Sequence, residues 1–342
     1  MHADLYRQML RARTYEAAVA DLWLQGLISG EMHLGTGEEA VAAGVVTHLR
    51  DGDGLALAHR CSPPLVVRGV PLVPMLRELL GMPDGLGRGR AGHMHLFSRA
   101  HLTGSSGIVG ASLPMGAGLA LAAARLRPAA VAVAFTGDGA MNQGMALETL
   151  NLAVAWKLPL LVVCIDNAWA IATRSSDVSG GGPAERAAAF GWRTATVDGT
   201  DVEAVHTMAG QLIAPLRERS KPAFLLAHCP RLDGHFLGDP MIRIAKRPLG
   251  EGREMLGEIA GTVTKGGGAV LDRAGGMLRM ARLLVQARAG AERDSRGDPV
   301  RKARDAMAKD AATRDQIERE VSEEVEEALR AALAGVPGVV DA

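Results

Sequence analysis

The stretch AAVAVAFTGDGAMNQGMALETLNLAVAWKLPLLVVCIDN, residues 129–167, decides the fold. It opens on an unbroken small and β-branched run, AAVAVAFT, with the length and composition of a strand buried on both faces. NQGMALETLNLAVAWKL follows with Leu147, Leu150, Val154 and Leu158 on one helical stripe, and PLLVVCIDN is a second buried strand. Strand, helix and strand joined by short turns form a parallel unit, right-handed by the usual rule. Residues 192–212, WRTATVDGTDVEAVHTMAGQL, and 222–230, PAFLLAHCP, repeat the alternation. The expected fold is α/β, a doubly wound parallel sheet.

Outward from this unit, residues 4–24 read as an amphipathic helix, and GTGEEAVAAGVVTHL as a turn and a helix beginning near Glu38. LPMGAGLALAAARL, 113–126, is a helix whose Gly116, Ala120 and Ala124 leave a smooth face, suited to a sheet or to another subunit. Between these, residues 85–110 are rich in glycine, histidine and arginine without any sustained period, which reads as a long functional loop. Three segments are expected: an α/β domain over 1–243, a partly helical insertion over 244–297, and a C-terminal helical segment over 298–342 that packs on the main domain. In the insertion, MLRMARLLVQARAG reads as an amphipathic helix. In the last segment Ile317, Val321, Val325, Leu329 and Leu333 form an apolar seam.

Composition narrows the function classes. Of 342 residues, 48% are hydrophobic, enough for a substantial core, and 38 basic residues balance 38 acidic ones. No net field favours nucleic acid or an anionic membrane as a partner, so a small molecule is expected. Cys61, Cys164 and Cys229 are far apart and without metal-ligand spacing, which suits a reducing cytoplasm. No apolar run has the length of a spanning helix or the form of a signal peptide.

The Gly-Asp-Gly at 137–139 sits where a parallel sheet binds its ligands, at the carboxyl end of a strand and beside a helix N-terminus. Glycines there let backbone approach an anion, and the Asp138 carboxylate then needs a cation between itself and a phosphate; magnesium suits that oxygen-rich setting. Alone, Gly-Asp-Gly also serves tight turns. The specific signal is its pairing with Asn167, which closes the next strand at the same edge of the sheet.

Asp138 with Asn167 about thirty residues on resembles the magnesium and diphosphate motif of thiamine diphosphate enzymes. HLGTGEEAVAAGV, GIVGASLPMGAGLALA and GDGAMNQGMALETLNLAVAWKLPLLVV resemble, more narrowly, the alpha chain of the decarboxylating component of 2-oxo acid and acetoin dehydrogenase complexes. The likeness runs from about residue 5 to 243 and resumes near 298 to 335. It implies a thiamine diphosphate-binding fold in which Asp138, Asn167 and the Trp169 carbonyl bind Mg2+. Gly139 and Ala140 would offer N–H groups to the diphosphate, with Arg60 and Arg231 holding it, and Gly107 and Val109 would hold the aminopyrimidine. His235, His33 and His59 match histidines near the reaction centre and the substrate. Imidazoles shuttle protons near neutral pH, although a lone histidine is more often structural, and for His93, His95 and His101 in the glycine-rich loop a merely structural role stays open.

The resemblance also implies partners. A beta-type chain supplies the activating glutamate, in an α2β2 assembly, and a lipoyl acyltransferase receives the acyl group. Three departures bear on the substrate, a small 2-oxo acid or acyloin. Glu31 stands before MHLG where relatives carry phenylalanine, facing either the pocket or water. CSPP, with Ser62 and Pro64, stands where they carry a histidine-rich stretch. Phe236 and Gly238 stand where animal relatives carry phosphorylatable serines. With the insertion, Glu31 and the missing histidines motivate as alternative a two-chain carboligase or decarboxylase that needs no lipoyl partner; a catalytically silent scaffold is a third reading, opposed by the intact Asp138 and Asn167.

Overall fold

Residues 129–167 form the expected strand–helix–strand unit in the computed structural model, which describes residues 2–218, 221–239 and 297–337. The first half of the chain comprises α1 (His2–Leu24), α2 (Glu39–Val46), β1 (Gly54–Leu57), α3 (Ser62–Val67), α4 (Leu72–Leu79), β2 (Phe97–Ser98), β3 (Thr103–Ser105) and α5 (Ser112–Leu126). The central unit is β4 (Ala132–Gly137), α6 (Gly144–Ala155) and β5 (Leu160–Asp166). A hairpin of β6 (Trp169–Ala170) and β7 (Thr173–Arg174) follows, then α7 (Ser175–Val178), α8 (Pro183–Ala189), β8 (Arg193–Asp198), α9 (Val202–Arg217) and β9 (Ala223–His228). After the undescribed stretch come α10 (Pro299–Ala306) and α11 (Ala311–Leu333). The insertion expected over 244–297, with its amphipathic helix, lies outside the described residues except for Gly297.

The main sheet runs β2-β3-β1-β4-β5-β9-β8, parallel throughout except for the antiparallel β2–β3 pair. β9 enters between β5 and β8. Its residues Ala223 to Ala227 are all buried, whereas β8 at the edge buries Val197 alone. The strands at the centre are apolar along most of their length because helices cover both faces, with polar residues toward their carboxyl ends.

Small residues set the helix-to-sheet distance. A Cβ on Gly116 of α5 would lie 2.6 Å from the Ala134 Cβ on β4, so only glycine permits that approach. Gly116 and Ala120 of the expected smooth face are buried there, and Ala124 is half-buried. Of the α6 stripe drawn through Leu147, Leu150, Val154 and Leu158, Leu150 and Leu158 are buried and Val154 is half-buried, whereas Leu147 is exposed and is corrected. Ala146, Thr149 and Ala153 complete the buried face, because packing against the sheet selects short side chains there.

α11 lies along α1 and α4. Ile317, Val321, Val325 and Ala332 are buried against them, with Leu329 and Leu333 half-buried at the margin. Arg7–Glu320 at 2.6 Å and Arg11–Glu324 at 2.8 Å flank the seam. As partly exposed, solvent-screened pairs they contribute little, so the buried aliphatics carry the attachment. Arg13 of α1 is more enclosed and joins Glu39 on α2 (2.5 Å) to Asp298 before α10 (3.0 Å). Among the described residues no helix is long and apolar enough to cross a membrane.

The glycine-rich loop is held by one carboxylate. Glu78 of α4, buried, accepts the backbone N–H groups of Gly87 (2.6 Å), Gly89 (2.9 Å) and Ala91 (2.6 Å). Gly89 has φ +71°, and a Cβ there would lie 2.4 Å from the Gly81 carbonyl, so neither the turn nor the contact admits a side chain. Removing the carboxylate strands three donors, so Glu78→Ala is expected to lower stability by about 2–4 kcal/mol. Thermal unfolding and limited proteolysis at 85–91 check this; an unchanged cleavage pattern contradicts the clamp.

Candidate active site

The carboxyl ends of β4 and β5 open into a cleft of about 290 Å³. Gly137 pairs in register with Ile165, so Asp138 and Asn167 follow their strands at the same edge, and both line the cleft. Asp138 is 5% exposed; burial holds its carboxyl above the usual carboxylate range, and the Ser175 hydroxyl donates to it. Asn167 Oδ1 accepts the Trp169 N–H at 3.2 Å. A Cβ on Gly137 or Gly144 would meet nothing within 4 Å, so the backbone borders open space. Thr136 Oγ1 is buried in the same wall without a partner.

The opposite wall is built from imidazoles. His59, following β1, and His235, from the loop after β9, line the cleft; His33 stands behind them, 8% exposed. Ring centroids lie 5.0 Å apart for His33–His59 and 4.7 Å for His33–His235. Burial, with the Arg60 guanidinium adding to it, lowers His33 to about 3, His59 to about 2 and His235 to about 4. All three are therefore neutral at pH 7, each with one nitrogen able to accept a proton. Arg60 donates to the Leu34, Gly234 and His235 carbonyls, the last at 2.8 Å, and so ties the His33 and His235 segments together. Glu38 sits 3.7 Å from its guanidinium in the cleft wall, and burial raises that carboxyl to about 7.

The β6–β7 hairpin closes one side. Ala168 (φ +64°) and Ile171 (φ +55°) take left-handed conformations that cost roughly 1–2 kcal/mol apiece. Both flank the strand that presents Trp169 and Ala170 to the cleft, which marks a site where strain is retained for placement. A Cβ on Gly139 would lie 2.7 Å from that of Ala170, so the hairpin fits only against glycine.

With this geometry in place, comparison with known proteins is decisive. Residues 6–248 match the family described as Dehydrogenase E1 component. The chain belongs to the dehydrogenase E1 component family. It is 40% identical over 237 residues to the alpha subunit of acetoin:2,6-dichlorophenolindophenol oxidoreductase of Cupriavidus necator, covering 69% of this chain and 71% of that one. The Bacillus subtilis protein of the same name is 39% identical with the same coverage. The pyruvate dehydrogenase E1 component subunit alpha of Rhizobium meliloti is 36% identical, covering 69% and 68%. In fold the chain is similar to a Pichia stipitis transketolase, with TM-score 0.51 at 17% identity, covering 94% of this chain. It spans about half of that transketolase, 49%. The fold and family expected from the motifs are therefore correct, as is the reading as an E1 alpha subunit, part of an oxidoreductase that belongs with thiamine diphosphate chemistry.

Within this E1 chain the cleft gathers Arg60, Gly107, Val109, Asp138, Gly139, Ala140, Asn167, Trp169, His59 and His235. Four expected residues fall elsewhere. Arg231 does not line the cleft and lies against the hairpin, its guanidinium 5.6 Å from the Trp169 ring and donating to the Ile171 carbonyl at 2.7 Å. Glu31 is exposed and is not among the residues lining the cleft, the water-facing one of its two expected orientations. Ser62 opens α3 and bonds to buried Glu16, not to the cleft; packing of α3 on α1 turns it inward. His33 lies behind the wall. Two residues escaped the sequence reading. Glu38 looks like an ordinary acidic residue at a helix start, and His93 lies in an aperiodic loop; only the fold brings each to the site.

The neutral imidazoles give the fold a pH dependence of known sign. His59 has its folded pKa far below the unfolded 6.5, so its contribution to stability is present above pH 6.5 and lost as pH falls below it. Replacing it by Gln is expected to flatten the fall in melting temperature between about pH 6.5 and 5. An equally steep fall in His59→Gln contradicts the burial argument.

Proposed function

We propose that this chain is the alpha subunit of a thiamine diphosphate- and Mg2+-dependent dehydrogenase acting on acetoin or on a small 2-oxo acid such as pyruvate. It works with a beta-type subunit, in an α2β2 assembly, and passes the acyl group to the lipoyl group of an acyltransferase. One observation carries the reading: a single cleft has an anion cradle with Asp138 and Asn167 at one wall and neutral His59 and His235 at the other. The residues present fit the cofactor. Gly137 and Gly144 border open space, Thr136 Oγ1 is unpartnered, and Gln143 places no side-chain cap on α6. A helix N-terminus left in that state favours an anion.

In this reading Asp138, Asn167 and the Trp169 carbonyl hold Mg2+, and the Gly139 and Ala140 N–H groups face the diphosphate. When bound, thiamine diphosphate supplies the carbon nucleophile and the ring that stabilises the electrons left on the substrate carbon. His59 and His235 accept and return protons at their free ring nitrogens. Arg60 keeps their two segments at fixed separation and brings positive charge toward an anionic substrate. Arg231, against Trp169, supports the hairpin that carries the third magnesium ligand. A partner chain is supported at the mouth of the cleft, where Ile108, Val109 and Ile171 are each more than half exposed. Three free, buried cysteines suit a cytoplasmic setting.

The test is co-expression with the co-purifying beta-type chain, followed by reduction of 2,6-dichlorophenolindophenol with acetoin or pyruvate in the presence of thiamine diphosphate and Mg2+. The complex is expected to turn over and the chain alone to be inactive. Asp138→Asn is expected to weaken cofactor binding by more than the roughly 10-fold that loss of a metal's outer-shell partner costs. Turnover by the isolated chain overturns the subunit reading. Undiminished cofactor affinity in Asp138→Asn overturns the metal assignment.

A further inference from the structure

The CSPP segment brings no histidine to the site, yet a fourth imidazole is present, delivered from the glycine-rich loop. His93 Nε2 lies 3.3 Å from the His33 backbone nitrogen, which donates to it, and 3.0 Å from His33 Nδ1. The two rings lie nearly parallel, with 16° between their planes. The position of His93 is fixed on both sides. Its carbonyl accepts from the Cys61 thiol at 3.2 Å, and two residues earlier the Ala91 N–H is bound by Glu78 at 2.6 Å.

This geometry dictates where the protons are. A backbone N–H can only donate, so His93 Nε2 carries its lone pair, and the neutral His93 ring is protonated at Nδ1. His33 Nδ1 faces that same lone pair; two lone pairs opposed at 3.0 Å repel, so His33 carries its hydrogen on Nδ1. His33 Nε2 is left as the ring's proton acceptor. A ring nitrogen of His33 lies within 4.8 Å of one on His59 and one on His235, the two imidazoles of the cleft wall. The groups that bear on His33 are Arg60, His59, His235 and His93; those that bear on His93 are His95 and Arg60. None is a carboxylate, so nothing in this set competes for the Nδ1 hydrogen.

We propose that His93 is a positioning residue that locks His33 in its Nδ1–H tautomer and thereby sets the proton-accepting nitrogen behind the His59 and His235 wall. The consequence for turnover rests on the function proposed above; the tautomer itself does not.

Two measurements separate those parts. In the complex with the chain labelled by 15N-histidine, NMR reads the tautomer directly. His33 is expected as Nδ1–H in the wild type and in His93→Gln, whose carbonyl oxygen can accept the same two hydrogens, and as a mixture in His93→Leu. Observation of Nε2–H at His33 in the wild type overturns the proposal whatever the enzyme's substrate. In the dye assay with acetoin or pyruvate, His93→Leu is expected to lower kcat by about 10- to 100-fold at little change in KM, with an altered pH profile, while His93→Gln restores most of both. Equal loss in the Leu and Gln variants, with kcat falling in step with melting temperature, marks a merely structural role and overturns it. A wild-type complex inactive toward both substrates, but with His33 as Nδ1–H, refutes the function and leaves the tautomer lock standing.

Discussion

The parallel registration of β4 on β5 is the constraint on which the site depends. Ala132 to Gly137 lie opposite Leu160 to Ile165 without a bulge, so the residues that follow both strands emerge at one level. That level is where helix N-termini gather and where backbone donors outnumber acceptors. α5 can seat on β4 because Gly116 faces Ala134 with no side chain between them. A bulkier residue at either position would lift the helix and, with it, the wall formed by residues 106–110.

The second wall is assembled from segments that share no secondary structure. His33 precedes α2, His59 follows β1, His93 belongs to the glycine-rich loop, and His235 lies beyond β9. Two groups hold them in place by backbone contacts. Arg60 bonds three carbonyls across the His33 and His235 segments, and Glu78 bonds three amides in the loop that leads to His93. Both work through several charge-assisted bonds at once, which is how irregular backbone is made rigid without a ladder. The rigidity matters because burial has already made the rings neutral, so proton position is governed by geometry more than by solvent pH.

Burial raises all three carboxyls around the start of α2, and their partners differ. Glu39 is paired with Arg13 and bonded by the Gly37 amide at 2.8 Å, and acts as a brace between α1 and α2. Glu16, with one oxygen unpartnered, is raised by burial to about 8, and Glu38 to about 7. Both therefore hold protons in the folded chain at pH values where the unfolded chain releases them. Their contribution to stability declines as pH rises from about 4.5, opposite in sign to that of the histidines. The two sets partly offset one another between about pH 4.5 and 6.5.

The sequence by itself determined the parallel strand–helix–strand core of the sheet and the placing of Asp138 and Asn167 at one edge of it. Those features follow from local signals: apolar runs, turn glycines, and a spacing set by one strand–helix–strand unit. It also placed α11 by its aliphatic seam. The tertiary structure alone decided that Leu147 turns outward on α6, that Glu31 and Ser62 do not line the cleft, that Arg231 braces a hairpin, and that β9 inserts beside β5. It alone brought His93 to His33, sixty positions apart along the chain. Local pattern carries no information about such meetings, because a loop fixed by a distant carboxylate has no period of its own; its position is set by what it packs against.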